Sequence, residues 1–252
     1  MVNILARVNI CGIDIDNISY PKLLSIISYV VDNQKNIYIV APNVDHIVKL
    51  QKDEAFRKVY KEAYLVLPDG MFIIWASRFL GTPLQEKISG SDLVPIVCKL
   101  AASKGYKVFF LGGRPGAAEG AEHNLRKIFP ALKIVGAYAP PFGFEKDNAE
   151  TEKILAMIKD TKPDILFVGL GAPKQEIWIN RYYKQLGVPF SMGIGVSFEF
   201  LAGMVKRAPK WMQRAGLEWL WRLICEPKRL WRRYLVEDPV FFWYVLRQRL
   251  KK

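Results

Sequence analysis

Chemistry in this chain gathers around one acid. In the stretch AYLVLPDGMFIIWASRFLG (63–81), Asp69 stands alone between a short apolar run and a long apolar helical pattern, with only Pro68 and Gly70 beside it. Two roles fit a carboxylate there. It can cap the helix that follows, accepting bonds from the first free backbone N–H groups. It can also take a proton from a hydroxyl as a general base, if the fold holds it in a crevice. A second stretch, PNVDH (42–46), places Asn43, Asp45 and His46 at the end of another apolar run. If the two runs are parallel strands, these residues and Asp69 converge. One carboxylate with an amide nearby suits activation of a hydroxyl, while backbone N–H groups and basic side chains stabilise a departing diphosphate without a metal.

Glycine turns supply the second kind of candidate. KVFFLGGRPG (107–116), DILFVGLGAPKQE (164–176) and PFSMGIGVSFEF (189–200) each run from an apolar strand into glycines and then a helical pattern, and LKIVGAY (132–138) adds a strand ending near Gly136. GGRPG is not the dinucleotide fingerprint, and no acid follows at the spacing that would hold a ribose hydroxyl. It reads either as a tight turn or as bare N–H groups at a helix N-terminus that receive a diphosphate. Gly112 and Gly113 would lie against it, with Arg114 and Lys174 adding charge.

Several chemistries are excluded or poorly supported. With only His46 and His123, no zinc motif of the H-E-x-x-H kind exists, and a Ser-His-Asp triad has little to build on. No P-loop sequence is present. Asp14 and Asp16 in GIDID resemble a metal-binding D-x-D, but the alternating pattern around them reads better as a strand edge or turn. Neither a metal nor a cofactor is expected.

The elements that must position these residues alternate strand and helix. NIYIVAPN (36–43) and AYLVLPD (63–69) read as strands, each followed by a helical pattern, and SGSDLVPIVCKLAASKG (89–105) reads as a capped helix. The alternation predicts an α/β fold, Rossmann-like, with a largely parallel sheet covered by helices on both faces. Ligands of such sheets bind outside the carboxyl ends of the strands, where the glycine turns and Asp69 fall.

Composition divides the chain. Net charge is +13 over 252 residues. Residues 204–252 hold 13 Lys and Arg against 4 Asp and Glu, and five of the seven tryptophans. This predicts a catalytic domain over 1–203 and a basic, Trp-rich helical appendage over 204–252. Three scattered cysteines argue for a reducing cytoplasm rather than a disulfide framework. MVNILARVNICG lacks the pattern of a signal peptide, and the apolar runs LLSIISYVV (23–31) and VFFWYVL (240–246) fall short of the roughly 20 residues that span a bilayer.

Taken together, GIDIDNIS, the stretch from NVDHIVKL to LPDGMFIIWASRFLG, EKISGSDL, FFLGGRPG and FVGLGAPKQEIWI resemble the WecG/TagA/CpsF glycosyltransferase family over nearly the whole chain. The resemblance implies inverting, metal-independent transfer of a sugar, N-acetylmannosamine in the best-known members, from a UDP-sugar to undecaprenyl-diphosphate-linked GlcNAc in teichoic acid linkage-unit synthesis. Related members use N-acetylmannosaminuronic acid or glucose donors. It makes Asp69 the base and puts Asn43 and Gln175 in the site, with Gly171, Lys174 and Glu176 of the same G-A-P-K-Q-E stretch. Ala41 departs from the Thr found in some members.

The tail then reads as a membrane device, its tryptophans at the headgroups and its cations on anionic lipid. Peripheral attachment to the inner face of the cell membrane follows, with Arg222, Arg229 and Arg232, on one face of a continuous helix unless Pro227 breaks it, as contacts for acceptor phosphates. The resemblance also implies homo-oligomers. The rival classes are a nucleic-acid-binding protein, for which the balanced body has no use, and a nucleotide-sugar oxidoreductase or epimerase, which lacks the dinucleotide fingerprint.

Overall fold

The computed structural model describes residues 6–251. A short antiparallel hairpin comes first, β1 (Arg7–Ile10) and β2 (Ile13–Asp16). Both residues of its turn, Cys11 and Gly12, have positive φ, as a tight two-residue hairpin connection requires. Six further strands form one sheet: β3 (Ile37–Val40), β4 (Leu65–Val66), β5 (Lys107–Gly112), β6 (Lys133–Tyr138), β7 (Ile165–Gly169) and β8 (Phe190–Gly193). Every pairing among them is parallel, in the order β4-β3-β8-β7-β5-β6. The sequence prediction of a largely parallel α/β sheet with helices on both faces holds.

Continuous apolar runs form these strands because both faces are covered. Side chains alternate between faces along each strand, so one run feeds two cores. Phe109 and Leu111 of β5 join a first core with Tyr38, Leu166 and Val168. Val108 and Phe110 join a second core, on the opposite face, with Ile39, Phe167 and Met192. All carboxyl ends of the six strands lie at one edge of the sheet.

The hairpin explains the Asp-x-Asp motif. Asp14 faces outward and accepts a bond from Asn9 at 2.7 Å. Asp16, at the end of β2, is buried, accepting from Arg7 Nε at 2.9 Å and from the backbone N–H of Val66 at 2.8 Å. It ties the hairpin to β4, a strand of only two residues.

The C-terminal segment is helical but broken. Helices Lys210–Arg214, Glu218–Cys225, Pro227–Arg232 and Val240–Leu250 are joined by turns, one of them a π-helical turn over Arg233–Glu237. Pro227 starts a new helix with Glu226 as its N-cap, so Arg222, Arg229 and Arg232 do not share one helix face as a continuous helix would allow. The segment also packs on the body. Phe241 and Val245 are buried in the first core, and Gln248 accepts the Cys11 N–H at 2.6 Å while donating to the Asn9 carbonyl at 2.9 Å.

Asp16→Ala leaves the Val66 N–H without its partner inside the protein, which costs about 1–3 kcal/mol. The melting temperature should fall by roughly 2–10 °C, while catalysis by the folded fraction should remain, as a metal-ligand role for Asp16 would not allow.

Candidate active site

A cavity of about 580 Å³ opens at the carboxyl ends of the strands. Asn43, after β3, and Asp69, after β4, form one side, and Val196 and Phe200, after β8, another. The opposite wall comes from the C-terminal segment, including Trp219, Arg222, Arg233 and Phe242. The appendage therefore completes the cavity.

Asp69 is not the helix cap. The N-cap of helix Met71–Phe79 is Gly70, at φ +95°, and no side chain caps that end. Asp69 sits one residue earlier, where its N–H donates to the Pro42 carbonyl at 3.2 Å and joins the ends of β3 and β4. No hydrogen bond to its carboxylate is found among the described residues, and the side chain lines the cavity. Burial pushes its pKa up to about 7, against the opposing pull of Lys87 and Arg207 and with Glu218 and Asp92 reinforcing the rise. A carboxylate in this state can take a proton near neutral pH. Asn43 does cap a helix of its own, Val44–Leu50, where its Oδ1 accepts the His46 N–H at 3.3 Å.

Four cations line the cavity around this acid: Lys87, Arg207, Arg222 and Arg233. Two belong to an ion-pair network that clamps the appendage to the body. Asp92 meets Arg207 at 2.6 Å and Lys87 at 3.1 Å, and Arg207 also binds Glu218 at 3.0 Å. Burial opposes ionisation of Asp92, but Arg207, Ser89 and Lys87 prevail and bring it down to about 2. The other two cations are under-satisfied. Arg222 has no ion-pair partner among the described residues. Arg233 offers five N–H donors but makes one long bond, to Asn43 Oδ1 at 3.4 Å, with Asp45 and Asp238 at 3.7 and 3.6 Å; its Nε has no hydrogen-bond partner.

Several predicted residues lie elsewhere. The GGRPG turn has no bare N–H groups for a diphosphate at Gly113 and Arg114. The Gly113 N–H is bonded to the Gly169 carbonyl at 2.8 Å, and the Arg114 N–H to the carboxylate of buried Glu199 at 3.1 Å. Gly112 is glycine because a Cβ would meet the Gly169 carbonyl oxygen at 2.7 Å. The Arg114 guanidinium pairs with Glu226 at 2.8 Å. Gly136 lies within β6, where the Phe109 ring fills the space of a Cβ. Lys174 pairs with Glu145 under the ring of Phe142.

Gln175 is buried and bridges two strand ends. Its Oε1 accepts the N–H groups of Gly171 at 3.2 Å and Gly195 at 2.9 Å, and its Nε2 donates to Glu176 at 2.6 Å. Burial raises the Glu176 pKa to about 7 and leaves its Oε2 unpartnered. His46 is equally remote, bonded to the Tyr60 hydroxyl at 2.6 Å and held neutral by burial, its pKa pushed down to about 3. Ala41 packs in the second core. Arg229 pairs with Glu226, and Arg232 with Glu237 at 3.2 Å; neither lines the cavity. Of the candidate residues, the cavity gathers Asp69, Asn43 and Arg222. It adds Lys87, Arg207 and Arg233, which sequence reading passed over. For Arg233 no local signal exists: it lies just past helix Pro227–Arg232, and its contact with Asn43 spans 190 residues.

A parallel α/β sheet with an unpartnered carboxylate in a cationic cavity at its strand ends has the make-up of an enzyme that activates a hydroxyl beside phosphates. The chain belongs to the WecG/TagA/CpsF family of glycosyltransferases, whose family model matches residues 8–252. It is thus a glycosyltransferase of the hexosyltransferase class. It is similar to the N-acetylglucosaminyldiphosphoundecaprenol N-acetyl-beta-D-mannosaminyltransferase of Staphylococcus aureus strain NCTC 8325, 32% identical over 248 residues, covering 98% of this chain and 94% of that one. The enzyme of the same name from strain MRSA252 is 31% identical over the same extent.

Because the folded pKa of Asp69 lies above its unfolded value of 3.8, the native state holds its proton more tightly. Stability from this group is complete below about pH 4 and is lost as pH rises through 7. Asp69→Asn should therefore melt higher than the wild type at pH 8, by roughly 4 °C or more, and the gap should close at pH 4. Melting curves at the two pH values check this.

Proposed function

We propose that the protein transfers N-acetylmannosamine from its UDP donor to undecaprenyl-diphosphate-linked GlcNAc, with inversion and without a metal. The observation that carries the mechanism is Asp69, whose pKa is raised to about 7 and whose carboxylate has no hydrogen-bond partner among the described residues, inside a cavity lined by four cations. The names of the relatives supply the sugar and the acceptor. In the proposed step the acceptor hydroxyl attacks the anomeric carbon of the donor and gives its proton to Asp69. The bond to UDP breaks, and the electron pair leaves on the diphosphate. Lys87, Arg222 and Arg233 meet the phosphates, so charge that a divalent ion would supply elsewhere comes from side chains. A single displacement inverts the anomeric centre.

The acceptor lipid requires contact with a bilayer. No helix among the described residues is long and apolar enough to cross one. The appendage supports peripheral attachment at the inner face: among the described residues it carries ten of the sixteen exposed large hydrophobic side chains, Trp211, Ile224, Trp231 and Trp243 among them. Interspersed cations fit an anionic surface.

The experiment is transfer from a panel of UDP-sugars to a short-chain polyprenyl-diphosphate-GlcNAc, with divalent ions chelated. Turnover is expected with UDP-N-acetylmannosamine, and turnover only with the N-acetylmannosaminuronic acid or glucose donor would move the assignment to that sugar. The rate should rise with pH to a plateau with its midpoint near 7, and Asp69→Asn should lose about 10²–10⁴-fold in kcat. Undiminished turnover in that variant would remove Asp69 from the mechanism. Trp211→Ser with Trp231→Ser should weaken binding to vesicles containing anionic lipid, measured by co-sedimentation.

A further inference from the structure

A second cleft, of about 270 Å³, adjoins the active-site cavity. It lies between helix Met71–Phe79 and helix Val240–Leu250, and every residue lining it is apolar. Two aromatic side chains, Phe72 and Phe242, line both spaces, so cavity and cleft adjoin on either side of these rings. Their rings meet edge to face at 5.5 Å, and Phe72 meets Trp75 in the same way at 5.2 Å. Trp75 is in turn held by the appendage, because Gly216 approaches it so closely that a Cβ there would lie 2.5 Å from the indole.

Chemistry changes in order along this path. The cavity end has the unpartnered carboxylate of Asp69 and the under-satisfied Arg222 and Arg233. Beyond Phe72 and Phe242 there is only hydrocarbon, with Phe79 52% and Leu246 48% exposed. At the far end the Arg249 guanidinium stands 6.0 Å from the centre of the Phe79 ring. A cationic pocket with a narrow apolar cleft beside it matches a molecule with an anionic head and a thin hydrocarbon tail. A protein helix fits poorly, since one turn with its side chains is about 10 Å across and about 5.4 Å high, more volume than the cleft holds.

We propose that this cleft receives the first isoprene units of the acceptor's polyprenyl chain, while the diphosphate and sugar stay in the cavity. The proposal rests on the acceptor reading above and adds a subsite to it. Phe72 and Phe242 mark the passage from head to tail, and Phe79 and Leu246 grip the chain where it leaves towards the bilayer. The enzyme then reads the lipid directly, in addition to meeting it at a membrane.

Two measurements test this. The first compares kcat/KM for a farnesyl-diphosphate-GlcNAc and a short alkyl-diphosphate-GlcNAc, both below their micelle concentrations and without membranes. The wild type should favour the farnesyl acceptor, and Phe79→Ser and Leu246→Ser should each reduce the preference by roughly fivefold. Ile128→Ser, an exposed apolar position on the body, should not reduce it. A preference unchanged in both cleft variants, or reduced equally in the Ile128 variant, would overturn the proposal. The second uses wild-type protein with a farnesyl diphosphate carrying a benzophenone at its tail, mapping the photocrosslink by mass spectrometry. Label is expected on 71–79 or 240–250, and label confined to other segments would overturn the cleft. If no acceptor is glycosylated yet the label falls there, the transfer reading fails and the lipid subsite stands.

Discussion

Burial of the parallel sheet on both faces governs the rest of this molecule. From Val108 to Leu111 of β5, and from Ile165 to Val168 of β7, every side chain goes to one apolar core or the other. The ladder itself engages the backbone N–H and C=O groups of the strands, so the layers leave little room for polar side chains. What remains is the edge where the strands end. Asn43, Asp69 and the loop after β8 meet there because parallel strands bring all their carboxyl ends to the same side.

At that edge the acids are distinguished by what they are denied. Asp16 has an arginine and a backbone N–H, Asp45 has Lys49 at 2.8 Å, and Asp92 has Arg207, Lys87 and Ser89. Glu199 accepts a backbone N–H in the turn after β5. Each is held in place by its partners and serves the fold. The Asp69 carboxylate has no such bond among the described residues, because Gly70 takes the capping position with a backbone that only glycine adopts readily. Desolvation, only partly offset by Lys87 and Arg207, is what lifts its pKa, and a base that is costly to ionise is the useful kind near neutral pH.

The appendage is as necessary to this site as the sheet. It shares the first core through Phe241 and Val245, clamps the body through Arg207, and presents Arg222 and Arg233 to the cavity. The π-helical turn at Arg233–Glu237 begins at the residue that reaches Asn43, in keeping with the frequent use of such turns at functional sites. Cations and tryptophans that look from composition like a detachable membrane foot are divided between two tasks. Some face outward, and others close the active site.

The sequence by itself determined the class of fold, the placement of Asp69 at a strand end, and the family. Strand runs, capped helices and glycine stops are decided by interactions within a few residues, and such interactions are written in local order. It also marked the segment after residue 203 as different. It did not reveal which N–H groups in the GGRPG turn were already engaged, that Phe109 fills the place beside Gly136, or that Gln175 bridges two loops. Nor did it single out Arg233. Those outcomes depend on partners brought near by the strand order: Glu199 lies 85 residues from Arg114, and Arg233 lies 190 from Asn43. Only the tertiary structure decides such pairings, because a carboxylate or a guanidinium is committed or left free by whichever distant group the packing of the sheet sets against it.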